Sequence, residues 1–126
     1  MYLFNFEKLD VWQKSRSLAK EIYVATKNYP EEEKYGLVSQ LRRSIVSVCS
    51  NISEGASRTS RNEQKHFYEI AFSSLMETMN QLIISFDLDY IASSRIDELR
   101  KNIEINSYML LKLRDSTART ISSLST

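Results

Sequence analysis

The chain has 126 residues, 42% hydrophobic and 26% charged, so it is one domain able to bury a core and not a disordered tail. Two glycines, one proline, one histidine and one cysteine exclude several classes: there are too few turn residues for a β-sandwich or a β/α fold, no glycine-rich phosphate loop, no disulfide framework and no Cys/His zinc site within one chain. Net charge is +1, from 17 basic and 16 acidic residues, which gives no global cationic field of the kind that draws nucleic acid.

In chain order, the opening residues from Met1 to Glu7 carry neither a basic region nor a sustained apolar stretch, so no signal peptide is expected. A first helix is expected over residues 9–28, with Val11, Leu18, Ile22 and Ala25 as its apolar stripe, widened by Trp12 and Ala19. Pro30 ends it and holds Tyr29 extended. Glu31, Glu32 and Glu33 then suit the positive end of a second helix, residues 34–54, whose seam Val38, Leu41, Ile45, Val48 and Ile52 steps by threes and fours. Gly55 stands where a left-handed residue would close that helix. Ser60 and Glu63 form a capping-box pattern opening a third helix, residues 62–88, with Tyr68, Phe72, Leu75, Met79, Leu82 and Phe86 as its seam. Ser94 with Asp97 resembles another N-terminal cap. The fourth helix, residues 95–120, carries Ile96, Leu99, Ile103, Asn106, Leu110 and Leu113 and fades after Thr117 into a Ser/Thr-rich tail. Four heptad-patterned helices with short links predict an all-α, antiparallel up-down-up-down four-helix bundle spanning residues 1–126 as a single domain. No apolar run approaches the roughly 20 residues that cross a bilayer, and lone Cys49 in an apolar stripe suits a reducing compartment, so a cytoplasmic, membrane-free protein is expected.

Helix two carries a second stripe, Gln40, Arg43, Ser47, Ser50 or Asn51, and Glu54. The small hydroxyls Ser44, Ser47 and Ser50 point to close approach by another helix or another subunit; the plainer reading is a polar exposed face. Glu54 opposes the helix dipole and calls for a cation, either Arg58 or Arg61 past the turn or an arginine from elsewhere. Helix three offers a matching row in Ser73, Glu77 and Asn80 or Gln81, and two facing rows would form a buried network that fixes register. Glu54 and Glu77 are candidate paired carboxylates, but helical di-metal sites use Glu-x-x-His pairs and only Glu63-x-x-His66 is present. Cys49 has no His near it in sequence. Asn51-Ile52-Ser53 matches a glycosylation sequon that has no use on a cytoplasmic helix. No enzyme, metal or cofactor is expected.

Charge is unevenly spread. Residues 41–66 hold Arg42, Arg43, Arg58, Arg61 and Lys65 against Glu54 and Glu63, whereas residues 67–100 hold Arg95 and Arg100 against six carboxylates. The basic group, with His66 beside Phe67 and Tyr68, is assigned to the end of helix two, the turn and the start of helix three. Repeated around a symmetric oligomer, such a turn becomes a phosphate-binding surface; in a monomer it is a minor patch.

Phe6-Glu7-Lys8-Leu9-Asp10-Val11-Trp12-Gln13, Tyr29-Pro30, Tyr35-Gly36-Leu37, Gln40-Leu41-Arg42-Arg43-Ser44 and above all Ser50-Asn51-Ile52-Ser53-Glu54-Gly55 resemble the bacterial four helix bundle protein family, also called 23S rRNA intervening-sequence proteins. Ser60, Phe67, Ala71, Ser73-Ser74-Leu75 and Glu77 extend the resemblance over roughly residues 4–90. It implies a four-helix bundle assembled as a ring, typically a homopentamer, without enzymatic activity. It also implies similarity to the accessory protein of diversity-generating retroelements, which works with a reverse transcriptase and its template RNA through a basic surface. The polar positions Gln40, Arg43, Asn51, Glu54 and Glu77 coincide with the family signature.

The expected function is a non-enzymatic oligomeric adaptor contacting RNA or DNA, or a nucleic-acid enzyme, with Arg42, Arg43, Arg58, Arg61 and Lys65 as phosphate contacts. The alternative is a purely structural or protein-interaction ring, with Tyr2, Phe4 and Phe6 as contacts to a neighbouring subunit or partner.

Overall fold

The computed structural model describes residues 1–125, and the side chains of residues 1–117. It contains α1 (Asp10–Thr26), α2 (Leu37–Ser57), α3 (Arg61–Asp87) and α4 (Ser93–Ser125), with 3-10 turns at Asn5–Lys8 and Glu31–Glu33 and no strand among the described residues. Neighbouring pairs around the bundle are α1–α2, α2–α3, α3–α4 and α4–α1; among the described residues the backbones of the diagonal pairs stay apart. Ser44 meets Thr78 and Gln81 while Ser47 meets Ser74, so α2 and α3 run antiparallel. Ser15 meets Asn106 and Glu21 meets Asn102, which makes α1 and α4 antiparallel as well. Both registers are compatible with the up-down-up-down order.

Each helix buries most of the seam its spacing foretold. Leu18, Ile22, Leu41, Ile45, Val48, Ile52, Leu75, Leu82, Leu99 and Leu110 are essentially sealed from solvent, each worth about 1.5–3 kcal/mol of transfer free energy. Phe86, placed on the α3 seam by its spacing, is instead exposed, because the buried face of this turn passes through Ser85, which is sealed, after Gln81 and Leu82.

Helix ends follow local hydrogen bonding more than the apolar pattern. The Thr26 hydroxyl donates back to the Ile22 and Tyr23 carbonyls, and α1 stops there, before residues 27 and 28. Glu31–Glu33 form their own tight turn, so α2 begins at Leu37, whose N–H donates to the Glu33 carboxylate at 3.2 Å. Ser60 caps α3 by accepting the Glu63 N–H. Ser94, assigned as a cap from its spacing to Asp97, lies inside α4, which starts at Ser93. The α4 backbone continues to Ser125 rather than fading after Thr117, since extending an established helix needs no new nucleus.

Two departures concern the left-handed position. Gly55 is not a terminator: it lies inside α2 with a negative φ, buried against α3. A Cβ there would sit 2.7 Å from Tyr68 Cε1 and 3.1 Å from Phe67 Cβ, so glycine is required by the crossing of two helices. The left-handed residue is Asp89, φ 62°, after α3. Its N–H bonds to Phe86 O and the Tyr90 N–H to Ser85 O, the paired bonds of a Schellman end.

Gly55→Ala is therefore expected to destabilise the fold. Alanine gains about 1 kcal/mol of helix propensity, but forcing a methyl against the buried Tyr68 ring costs about 1–3 kcal/mol. A denaturant titration showing a net loss checks this; a net gain would mean that the ring yields freely.

Candidate nucleic-acid interface

The α2–α3 seam is polar at its centre. Buried Ser44 donates to Gln81 Oε1 at 3.0 Å and shares a 2.7 Å hydrogen bond with the Thr78 hydroxyl. With Ser44 donating to Gln81, the Thr78 hydroxyl has one proton to share between Ser44 and the Ser74 carbonyl, 2.9 Å away. The Ser47 and Ser74 hydroxyls meet at 2.9 Å. Asn51 Nδ2 donates to both the carbonyl and hydroxyl of Ser47, and Gln81 Nε2 reaches Glu77 at 3.4 Å. Two facing rows thus form one network of small groups, which lets the helices approach and leaves each buried hydroxyl partnered. Of the signature positions, Asn51 and Glu77 belong to this network. Gln40 and Arg43 are exposed and Glu54 serves elsewhere. Ser74 and Thr78 went unnoticed in the sequence; with Gln81 and Ser85 they step by four, three and four beside the apolar seam, and that row was the available signal.

Glu54 finds its cation one turn on. The Arg58 guanidinium lies 3.6 Å from its carboxylate and 4.8 Å from the centroid of the Phe67 ring, with both ion-pair members about half exposed. Lys65 sits 3.9 Å from Glu69, also exposed. Such pairs contribute about 0–1 kcal/mol and leave both cations accessible. Arg61, at the first position of α3, is exposed and has no acidic partner among the described residues. His66 lies outside, edge-on to Phe67.

The N-terminal segment comes to this same end. The Glu7 carboxylate accepts the Phe4 N–H at 2.8 Å, holding the tight turn that throws the aromatic residues into a ladder. Tyr2 meets Phe4 edge-on at 5.2 Å, Phe4 lies parallel to Phe6, and Phe6 meets Trp12 edge-on at 4.9 Å. Tyr2 is 77% exposed and Phe4 59%. Together with Ser53, Glu54, Arg58 and Gln64 they line a groove of about 700 Å³. Nothing in the sequence placed these rings beside Arg58, since more than fifty residues separate them.

Arg42 and Arg43 do not join the other cations. Fifteen residue steps along α2 separate Arg43 from Arg58 at its C-cap, about 22 Å. Arg42 is turned onto α1: Nε donates to Thr26 Oγ1 at 3.0 Å, Nη2 to the Tyr23 carbonyl at 3.3 Å, and its guanidinium lies 4.6 Å above the Tyr23 ring. It therefore caps the negative end of α1. The proposed set of five phosphate contacts divides into Arg58, Arg61 and Lys65 at one end and Arg42 and Arg43 near the other.

Cys49 is partly buried on α2, and burial pushes its thiol pKa up to about 11, the opposite of an activated nucleophile. Among the described residues no group of three His, Cys, Asp or Glu side chains is placed to hold a metal ion, and no helix is long and apolar enough to cross a membrane.

Comparison with known proteins gives a family and a fold. Residues 7–112 match the family model described as 23S rRNA-intervening sequence protein. A crystal structure of a protein of unknown function from the S23 ribosomal protein family of Bacteroides thetaiotaomicron is similar, with a TM-score of 0.74 and 23% sequence identity. That match covers 82% of this chain and 97% of the other, and at this identity it speaks to fold alone. No curated protein sequence matches.

Removing one hydroxyl should expose the weight of the seam. Ser44→Ala leaves Gln81 Oε1 and Thr78 each short of a buried partner, an expected loss of about 1–3 kcal/mol. Ser50→Ala, exposed on the same helix, should change stability by less than about 0.5 kcal/mol. Urea titration of the two variants checks the difference.

Proposed function

This chain belongs to the 23S rRNA-intervening sequence protein family, and from that premise we propose that it is a non-enzymatic, oligomeric, cytoplasmic adaptor that contacts RNA, or an enzyme acting on nucleic acid, through the α2–α3 end. The observation that carries the reading is the groove in which the exposed Tyr2 and Phe4 rings lie beside Arg58. Stacking faces next to accessible cations are what a single-stranded segment uses, bases on the rings and phosphates on the cations. Arg61 and Lys65 extend the cationic edge from the first turn of α3. Assembly as a homopentamer, which the family resemblance implies, would repeat this edge around a ring and raise a modest local field.

A purely protein-binding role is the second reading. It is favoured by the pairing of Arg58 with Glu54 and of Lys65 with Glu69, which reduces the charge offered to phosphate, and by the size of the exposed aromatic ladder.

Titrating a labelled structured RNA carrying single-stranded loops, at low and at near-physiological salt, distinguishes the two. On the first reading binding weakens steeply with salt. Arg58→Ala with Arg61→Ala flattens the log–log slope by about 2, one contact each. Phe4→Ala lowers affinity by about 1–3 kcal/mol with the slope unchanged. No binding even at low salt, or a slope indifferent to both arginines, removes the nucleic-acid reading and leaves the protein-binding one.

A further inference from the structure

Two exposed patches remain outside the interface described above, and they are opposite in charge. The first is a shallow groove of about 530 Å³ between α1 and α2, walled by Tyr35, Val38 and Val46 and edged by Lys34, Arg42 and Arg43, with no carboxylate on its lining. Tyr35 is 87% exposed and Val46 43%. The second is the last two turns of α3, where Ile83, Ile84, Phe86 and Leu88 are each 39–48% exposed. Asp87 and Asp89 flank these residues, and from residue 67 to residue 94 the chain has four carboxylates and no lysine or arginine. The carbonyl end of α3 adds a partial negative charge to the same spot. Asp87, Asp89 and Arg43 have no ion-pair partner among the described residues.

We propose that these patches are the two halves of one contact, the α3 end of one copy of this chain seating in the α1–α2 groove of the next. This rests on, and deepens, the oligomeric reading given above by naming its surfaces. Exposed apolar residues clustered inside a charged rim mark an association site, and matched rims set which surface meets which. The patches occupy different helices at the same end of the bundle, where Tyr90 of the α3–α4 link bonds Glu33 before α2. Because the patches differ, the contact is head-to-tail: every copy offers both halves, and successive contacts close into a ring or run on as a filament.

Charge reversal tests the pairing. The masses of wild type, Arg43→Glu and Asp87→Lys would be measured by light scattering at matched concentration, with circular dichroism to verify that each variant keeps its helices. The expected result is that wild type assembles and that each variant dissociates about tenfold or more readily. Mixing the two variants should restore association, since the altered groove of one is complementary to the altered helix end of the other. Strict alternation suits an even-membered ring or a filament, so a five-membered ring would keep one mismatched contact and recover only in part. Assembled wild type with both variants at full mass overturns this pairing and leaves the oligomeric reading standing. Monomeric wild type overturns both. An Arg43→Glu variant that keeps its mass but loses RNA affinity assigns the groove to nucleic acid and also overturns the pairing.

Discussion

Helices α2 and α3 come together closely because Gly55 has no Cβ for the Tyr68 ring to strike and because Ser44, Ser47, Ser74 and Thr78 are small enough to interlock. Larger side chains would hold the helices apart. Apolar ones of the same size would allow the approach but leave the axial register free, whereas hydroxyls that must find partners fix it. The other features inherit this register. The Phe67 ring is brought beneath Arg58, the turn at residues 58–60 becomes short, and the α3 end is carried level with the connection between α1 and α2. The α1–α4 side has a lighter version of the same device, with Ser15 on Asn106 and Asn102 on Glu21.

Apolar seams were legible in the sequence because a repeat of threes and fours has one physical meaning when it persists for four or five steps. The polar seam was half legible. Serines on an otherwise charged helix face announced close approach. Glu77 lies on it, as does one member of each pair left open, Asn51 rather than Ser50 and Gln81 rather than Asn80. Ser73 is exposed, however, and the row actually used, Ser74 and Thr78, was hidden by the heptad beside it. Gly55 illustrates why single residues mislead: a glycine after an apolar run suits a helix terminus and a helix crossing equally, and only the ring on the next helix decides. Asp89 shows the converse, since aspartate tolerates the left-handed region without advertising it.

The candidate site was less legible than the fold, for a simple reason. Charges counted along a chain are close in sequence, and a helix of 21 residues sends its two ends about 30 Å apart. Arg42 and Arg43 were grouped with Arg58 by number and separated from it by geometry. Tyr2 and Phe4 were distant by number and are adjacent in space. Net charge hides the same thing, because the basic α1–α2 groove and the acidic α3 end cancel in the sum while standing on different faces.

The bond from the Tyr90 hydroxyl to Glu33 ties together the two links at the end of the bundle remote from the cation-bearing turn. A phenol donating to a carboxylate is held in its neutral form, and this hydrogen bond, some desolvation and the charges of Glu33 and Glu32 raise the Tyr90 pKa above its ordinary value. A group whose pKa is raised by folding contributes stability that is whole below its unfolded pKa and is lost as pH climbs through the folded one. The clasp is thus an alkaline fuse: on ionisation, phenolate and carboxylate repel where they had been joined. The stability of that end of the bundle therefore answers to base.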